Sequence, residues 1–214
     1  DIIITKDHEK DINSFNFIFR NYVSGFYYDN CFYLLEASGK YITKIDTKID
    51  TDNITDIEIY TDNRKGYEYR NEINFNNIVK VGDILYTVIG NNNIFSKYNI
   101  THNTKEYLDL QQYNFTSTDK FRYGLYSKFS NKVYLIPYNI PKIGIIDSND
   151  KISYIELDNL KDINSLFQFA IENNGYIYLI PYSSDFIYIL NVVDEKLTKI
   201  DISVYNSLNK KFIK

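Results

Sequence analysis

The chain has 214 residues, 44% hydrophobic and 24% charged, enough to bury a core in one domain or one repeat array. Its net charge of −4 argues against a nucleic-acid binder, which needs a basic face. A single cysteine, Cys31, excludes an internal disulfide framework and a multi-cysteine metal site, and no apolar run is long enough to cross a bilayer as a helix.

Isoleucine, asparagine, lysine, tyrosine and phenylalanine dominate, the residues favoured by an AT-rich genome, while alanine occurs only at Ala37 and Ala170. Isoleucine and tyrosine favour strands, and the scarcity of alanine disfavours helices. There is no methionine, so residue 1 is not expected to be a translational start. The chain is therefore expected to be a processed product or a piece of a longer one. No signal-peptide pattern is visible, which leaves the compartment open.

In chain order, the run Ile2-Ile3-Ile4 comes first and is expected to be a strand preceding the first repeat. Four repeats follow, at approximately 12–60, 72–110, 121–157 and 163–202. Each holds a tyrosine-led strand: Tyr33-Leu34-Leu35-Glu36, Tyr86-Thr87-Val88-Ile89, Tyr134-Leu135-Ile136-Pro137 and Tyr178-Leu179-Ile180-Pro181. A second run (41–45, 94–98, 143–146, 186–190) leads to Asp46, Asn99, Asp147 or Asn191, each thirteen residues after its tyrosine. A third alternates apolar, acidic, apolar: Ile57-Glu58-Ile59, Leu108-Asp109-Leu110, Ile155-Glu156-Leu157 and Ile200-Asp201-Ile202. That is the pattern of a strand with one wet face. A fourth run, at 163–169, is similar to residues 12–17 and 205–208 and is read as closing the unit. The tyrosines are spaced by 53, 48 and 44 residues, so the loops vary while the strand pairs do not. The final run, 205–213, is expected to be the first strand of a following blade.

Four short strands in each of four repeats of about 45–50 residues predict an all-β protein, a β-propeller with antiparallel blades. A small twisted sheet has two apolar faces it cannot bury alone, and radial stacking buries both. A β-sandwich is the structural alternative. Either the overhanging runs 2–4 and 205–213 pair to fasten a small ring, or the chain belongs to a larger propeller, the reading favoured here.

The segment Asn131-Lys132-Val133-Tyr134-Leu135-Ile136-Pro137, followed by Ile145-Ile146-Asp147 and Ile155-Glu156-Leu157, resembles kelch-like propeller repeats of the Y-x-x-P … I-D … I-x-L kind. The resemblance covers almost the whole chain, without the paired glycines and tryptophan of true kelch repeats. It implies the propeller fold and no particular activity.

No catalytic set assembles from the sequence. His8 and His102 lie in polar, loop-like stretches without triad or metal-ligand spacing, and Cys31 has no basic sequence neighbour to activate it. The acidic cluster Asp46, Asp50, Asp52, Asn53 and Asp56 lacks the glycine and glutamate of a calcium loop and reads as a solvated turn. No catalytic residue, metal site or cofactor is therefore assigned. The aromatic residues offer more. Residues 134–138 and 178–182 share the sequence Tyr-Leu-Ile-Pro-Tyr, where proline stops ladder pairing. This puts Tyr138 and Tyr182 at equivalent places, occupied by Ala37 and Gly90 in the first two repeats. Two such tyrosines can stack on a sugar or clamp a peptide. The insertion 61–71 carries Arg64, Tyr67 and Tyr69, a short basic-aromatic stretch suited to an acidic peptide or polyanionic glycan.

The expected function is a non-catalytic binding or scaffold module that presents blade loops to a protein or glycan, with Tyr138, Tyr182, Arg64, Tyr67 and Tyr69 as ligand-binding residues. A structural spacer within a larger surface or assembly protein is one alternative. A hydrolase or lyase with a central site built from carboxylates such as Asp46 and Asp147 is the other. The recurrence of those residues at strand ends suits turn formation better.

Overall fold

The computed structural model describes residues 22–37, 41–48, 54–59, 75–89, 94–109, 120–158, 160 and 164–204. They form four four-stranded antiparallel sheets, each a simple meander. The first holds β1 (Tyr22–Tyr28), β2 (Cys31–Glu36), β3 (Tyr41–Asp46) and β4 (Ile54–Glu58). The second holds β5 (Phe75–Val81), β6 (Ile84–Ile89), β7 (Ile94–Asn99) and β8 (Thr104–Asp109). The third holds β9 (Phe121–Ser127), β10 (Lys132–Pro137), β11 (Lys142–Ile146) and β12 (Ile152–Glu156). The fourth holds β13 (Phe167–Asn173), β14 (Tyr176–Pro181), β15 (Phe186–Asn191) and β16 (Leu197–Asp201). These are propeller blades, as the repeat predicts.

One phase assignment is corrected. The run at 163–169 does not close the third unit: from Phe167 onward it is β13, the edge strand that opens the fourth sheet. The runs 2–4, 12–17 and 205–213 lie outside the described residues.

Tight hairpins set the register. Asp29 and Asn30 turn β1 into β2 with φ of 46° and 58°, and Asn174 and Gly175 turn β13 into β14 with 50° and 79°. Two consecutive positive φ values match the right-handed twist of the strands they join. The buried faces meet between successive sheets. Tyr33, Leu35 and Ile42 of the first pack on Ile78, Leu85 and Tyr98 of the second. Val79, Tyr86 and Phe95 of the second pack on Phe121, Val133 and Leu135 of the third. Tyr134, Ile136 and Ile143 of the third pack on Phe167, Ile177 and Leu179 of the fourth. Odd and even residues of β10 thus serve opposite neighbours, which explains its unbroken apolar run Val133-Tyr134-Leu135-Ile136. Burying each such side chain contributes about 1.5–3 kcal/mol. Of the aligned tyrosines, Tyr33, Tyr86 and Tyr134 are buried against the next sheet, while Tyr178, on the far face of the fourth, is half-buried.

Side-chain bonds tie the sheets at one end, called here the hairpin end. Tyr28 donates to Asp83 at 2.9 Å, Tyr86 to Asp150 at 3.0 Å, and Lys97 pairs with Asp150 at 2.6 Å. Lys132 pairs with Glu195 at 2.5 Å, and the Ser127 hydroxyl donates to Glu172 at 2.5 Å. The opposite end of the sheets carries the cavity.

Candidate functional site

All four edge strands carry the same irregularity at the second residue. The ladder of β1 on β2 skips Val23, that of β5 on β6 skips Asn76, that of β9 on β10 skips Arg122, and that of β13 on β14 skips Gln168. In the third and fourth sheets the step falls at Pro137 and Pro181. A proline has no N–H to give the ladder. In the first two sheets Glu36 and Ile89 hold that place, so proline is not the cause of the bulge. A bulge re-aims its side chain and ends regular pairing, which is why bulges gather beside functional sites.

The four bulged residues converge. Val23, Asn76, Arg122 and Gln168, with Asn77, Tyr123 and Phe169, line a cavity of about 320 Å³ between the four edge strands. Arg122 is the sole charged residue among them. The Asn76 carboxamide donates to the Phe121 carbonyl at 2.8 Å and so ties the second sheet to the third. Asn77, only 8% exposed, and the exposed Gln168 form no side-chain hydrogen bond with another described residue. Arg122 likewise has no ion pair among the described residues. Its guanidinium lies over the Tyr138 ring, 5.1 Å from the centroid, a cation–π contact.

Tyr138 and Tyr182 are brought together here, as their equivalence predicts. Their ring centroids are 6.4 Å apart and the planes are inclined by 58°. A relay of backbone bonds fixes both. The Tyr138 N–H donates to the Lys120 carbonyl at 2.8 Å, Leu166 N–H donates to the Tyr138 carbonyl at 2.8 Å, and Tyr182 N–H donates to the Leu166 carbonyl at 2.9 Å. Ser165, at φ 55°, donates its N–H to Asn139 Oδ1 at 2.8 Å, and the Ser183 hydroxyl contacts the Asn164 and Ser165 carbonyls at 2.7 and 2.8 Å. These bonds fix the backbone from which the two rings project. Tyr182 is 68% exposed.

Arg64, Tyr67 and Tyr69 lie outside the described residues. Sequence reasoning missed Arg122, Asn77 and Gln168. Their signal was the alignment of the edge strands, which puts Val23, Asn76, Arg122 and Gln168 in one column.

The recurrent Asp/Asn column falls at the hairpin end. Asp46 accepts from Lys48 N–H at 2.8 Å, and Asn99 from His102 N–H at 2.9 Å. Asp147 accepts from Asn149 and Lys151 N–H at 2.8 and 2.9 Å, and Asn191 from Val193 N–H at 2.9 Å. All four are turn residues. Asp46 pairs with Cys31, the first residue of β2, so it stands a strand's length from the cavity. Neither Asp46 nor Asp147 lines the cavity.

Fold and cavity together define an all-β chain of propeller blades with a polar, aromatic-rimmed cavity where the four edge strands begin. No protein-family model matches the sequence, and no curated protein is similar to it. Solved structures are. A catalytically inactive virginiamycin B lyase from Staphylococcus aureus, determined with quinupristin, matches at a TM-score of 0.65 and 14% identity over 88% of this chain and 58% of its own. A streptogramin B lyase matches at 0.63 and 11% identity, over 85% and 54%. AztD from Citrobacter koseri matches at 0.58 and 14% identity, over 85% and 47%. These likenesses establish the propeller fold. The chain spans about half the length of the structures it matches.

Proposed function

We propose that this chain is a non-catalytic, kelch-like propeller module that binds a protein segment or a glycan at the cavity end, with Tyr138 and Tyr182 as the contact pair. The observation that carries this reading is the pair itself. Two tyrosines from successive blades lie 6.4 Å apart, one of them 68% exposed, on a frame of backbone hydrogen bonds. On a fixed backbone a tyrosine has only two side-chain torsions to order on binding, and it contributes apolar area and a polar tip together. Arg122 behind Tyr138 adds a charge to the same surface.

The test uses immobilised peptides and glycans presented to wild type and to the double variant Tyr138→Ala/Tyr182→Ala. Retention of a ligand by wild type, weakened at least tenfold in a double variant with an unchanged circular-dichroism melt, is the expected result. Equal retention by the folded double variant overturns the site. Retention of nothing by wild type overturns the binding-module reading and favours a spacer in a larger assembly.

A further inference from the structure

Building on the binding-module reading, we infer that the cavity takes one acidic sugar unit: a uronate whose carboxylate pairs with Arg122 while its ring lies against the aromatic rim. The charge comes first. Arg122 is the single charged group lining the cavity, in a chain whose net charge is −4, and no carboxylate among the described residues pairs with it. A guanidinium held by a ring face keeps its N–H edge for a planar anion, and a carboxylate accepts that fork with two parallel hydrogen bonds.

The remaining groups select a polyol. The Asn77 and Gln168 carboxamides each offer two donors and an acceptor, are bonded to no other described residue, and face the space beside Arg122. A sugar hydroxyl is donor and acceptor at once and satisfies either end of such an amide. Tyr123 and Phe169 line the cavity and supply ring faces for the C–H face of a pyranose, with Tyr138 beside it under the Arg122 guanidinium. At about 320 Å³ the cavity lies at the small end of ligand sites, which run from about 300 to 1,000 Å³, so it holds one ring rather than a chain of them.

An extended peptide is disfavoured by the backbone. The edge strands meet the cavity at their bulges, at residues 23, 76, 122 and 168, where the ladder is interrupted. Strand addition there lacks a regular row of N–H and C=O groups to pair with.

The test titrates digalacturonate, its dimethyl ester and an acidic hexapeptide against wild type, Arg122→Gln and Arg122→Lys, each checked for an unchanged melt. The inference expects the acid to bind wild type, with affinity falling as salt is raised, and to bind its ester and the Arg122→Gln variant roughly 10- to 100-fold more weakly. Arg122→Lys falls between, since an ammonium lacks the fork. Equal binding of acid and ester, an unaffected Arg122→Gln, or binding of the hexapeptide in place of the sugar overturns the inference. Those outcomes leave the tyrosine site standing if the Tyr138→Ala/Tyr182→Ala variant still loses its ligand on the arrays. Failure of wild type to retain any peptide or glycan fells both.

Discussion

At the hairpin end of the sheets, polar side chains are tied to one another or to the turns. Asp46, Asn99, Asp147 and Asn191 each accept turn amides, Asp150 holds both Tyr86 and Lys97, and Lys132 holds Glu195. At the cavity end, Arg122, Asn77 and Gln168 border open space without hydrogen bonds or ion pairs to other described side chains. Both ends are built from the same repeated hairpins, so the fold does not explain the difference. A turn or a blade contact is stabilised by closing its polar groups on each other. A binding site needs those groups open and fixed in direction, and the bulges that carry Arg122 and Gln168 re-aim those side chains here.

The comparison can be broken most heavily through the frame both ends share. Phe121 is fully buried, packs 6.2 Å from the ring of Phe95, and carries both the carbonyl that holds Asn76 and the bond to Arg122. Phe121→Ala should cost about 3–5 kcal/mol in urea unfolding and abolish ligand binding as well. A folded variant that still binds with wild-type affinity would show that the cavity does not depend on this packing.

Sharper is a change confined to the hairpin end. Asp150→Ala removes the partner of Tyr86 and Lys97 together and should cost about 1–3 kcal/mol, measured by the same unfolding, with ligand affinity unchanged. Its pH dependence has a definite sign. The hydrogen bond to Asp150 holds Lys97 above its ordinary 10.5, and burial first, then Asp150, pushes Tyr86 well above its ordinary value. Groups whose pKa rises on folding stabilise fully below the unfolded value and lose that contribution as pH climbs through the folded one. The stability gap between wild type and Asp150→Ala should therefore hold at neutral pH and narrow above 10.5. A gap that widens there contradicts the assignment.

Much of this was legible in the sequence, for reasons the packing makes plain. The tyrosine column kept equal offsets to the next strand because the two-strand unit from Tyr33, Tyr86, Tyr134 or Tyr178 onward is packed on successive sheets, where an insertion would shift every face. Tyr138 and Tyr182 could be paired because the pentapeptide before them repeats. The turn role of Asp46 and Asp147 followed from their place at strand ends. The edge strands were harder. Their sequences, from Val23-Ser24-Gly25 to Gln168-Phe169-Ala170, share little, because the bulged residue faces a cavity and not a conserved packing partner. With that column unread, the run at 163–169 reads as closing a unit even though it falls within the bounds of the fourth repeat, and nothing marks Arg122 between Phe121 and Tyr123.

The measurement that bears most directly on the contrast between the two ends places wild type, Tyr138→Ala/Tyr182→Ala and Asp147→Ala side by side on the same peptide and glycan array. The account predicts retention by wild type and by Asp147→Ala, which loses only turn hydrogen bonds, and loss in the tyrosine double variant. Retention by the double variant with loss in folded Asp147→Ala would place the working surface at the hairpin end and contradict it.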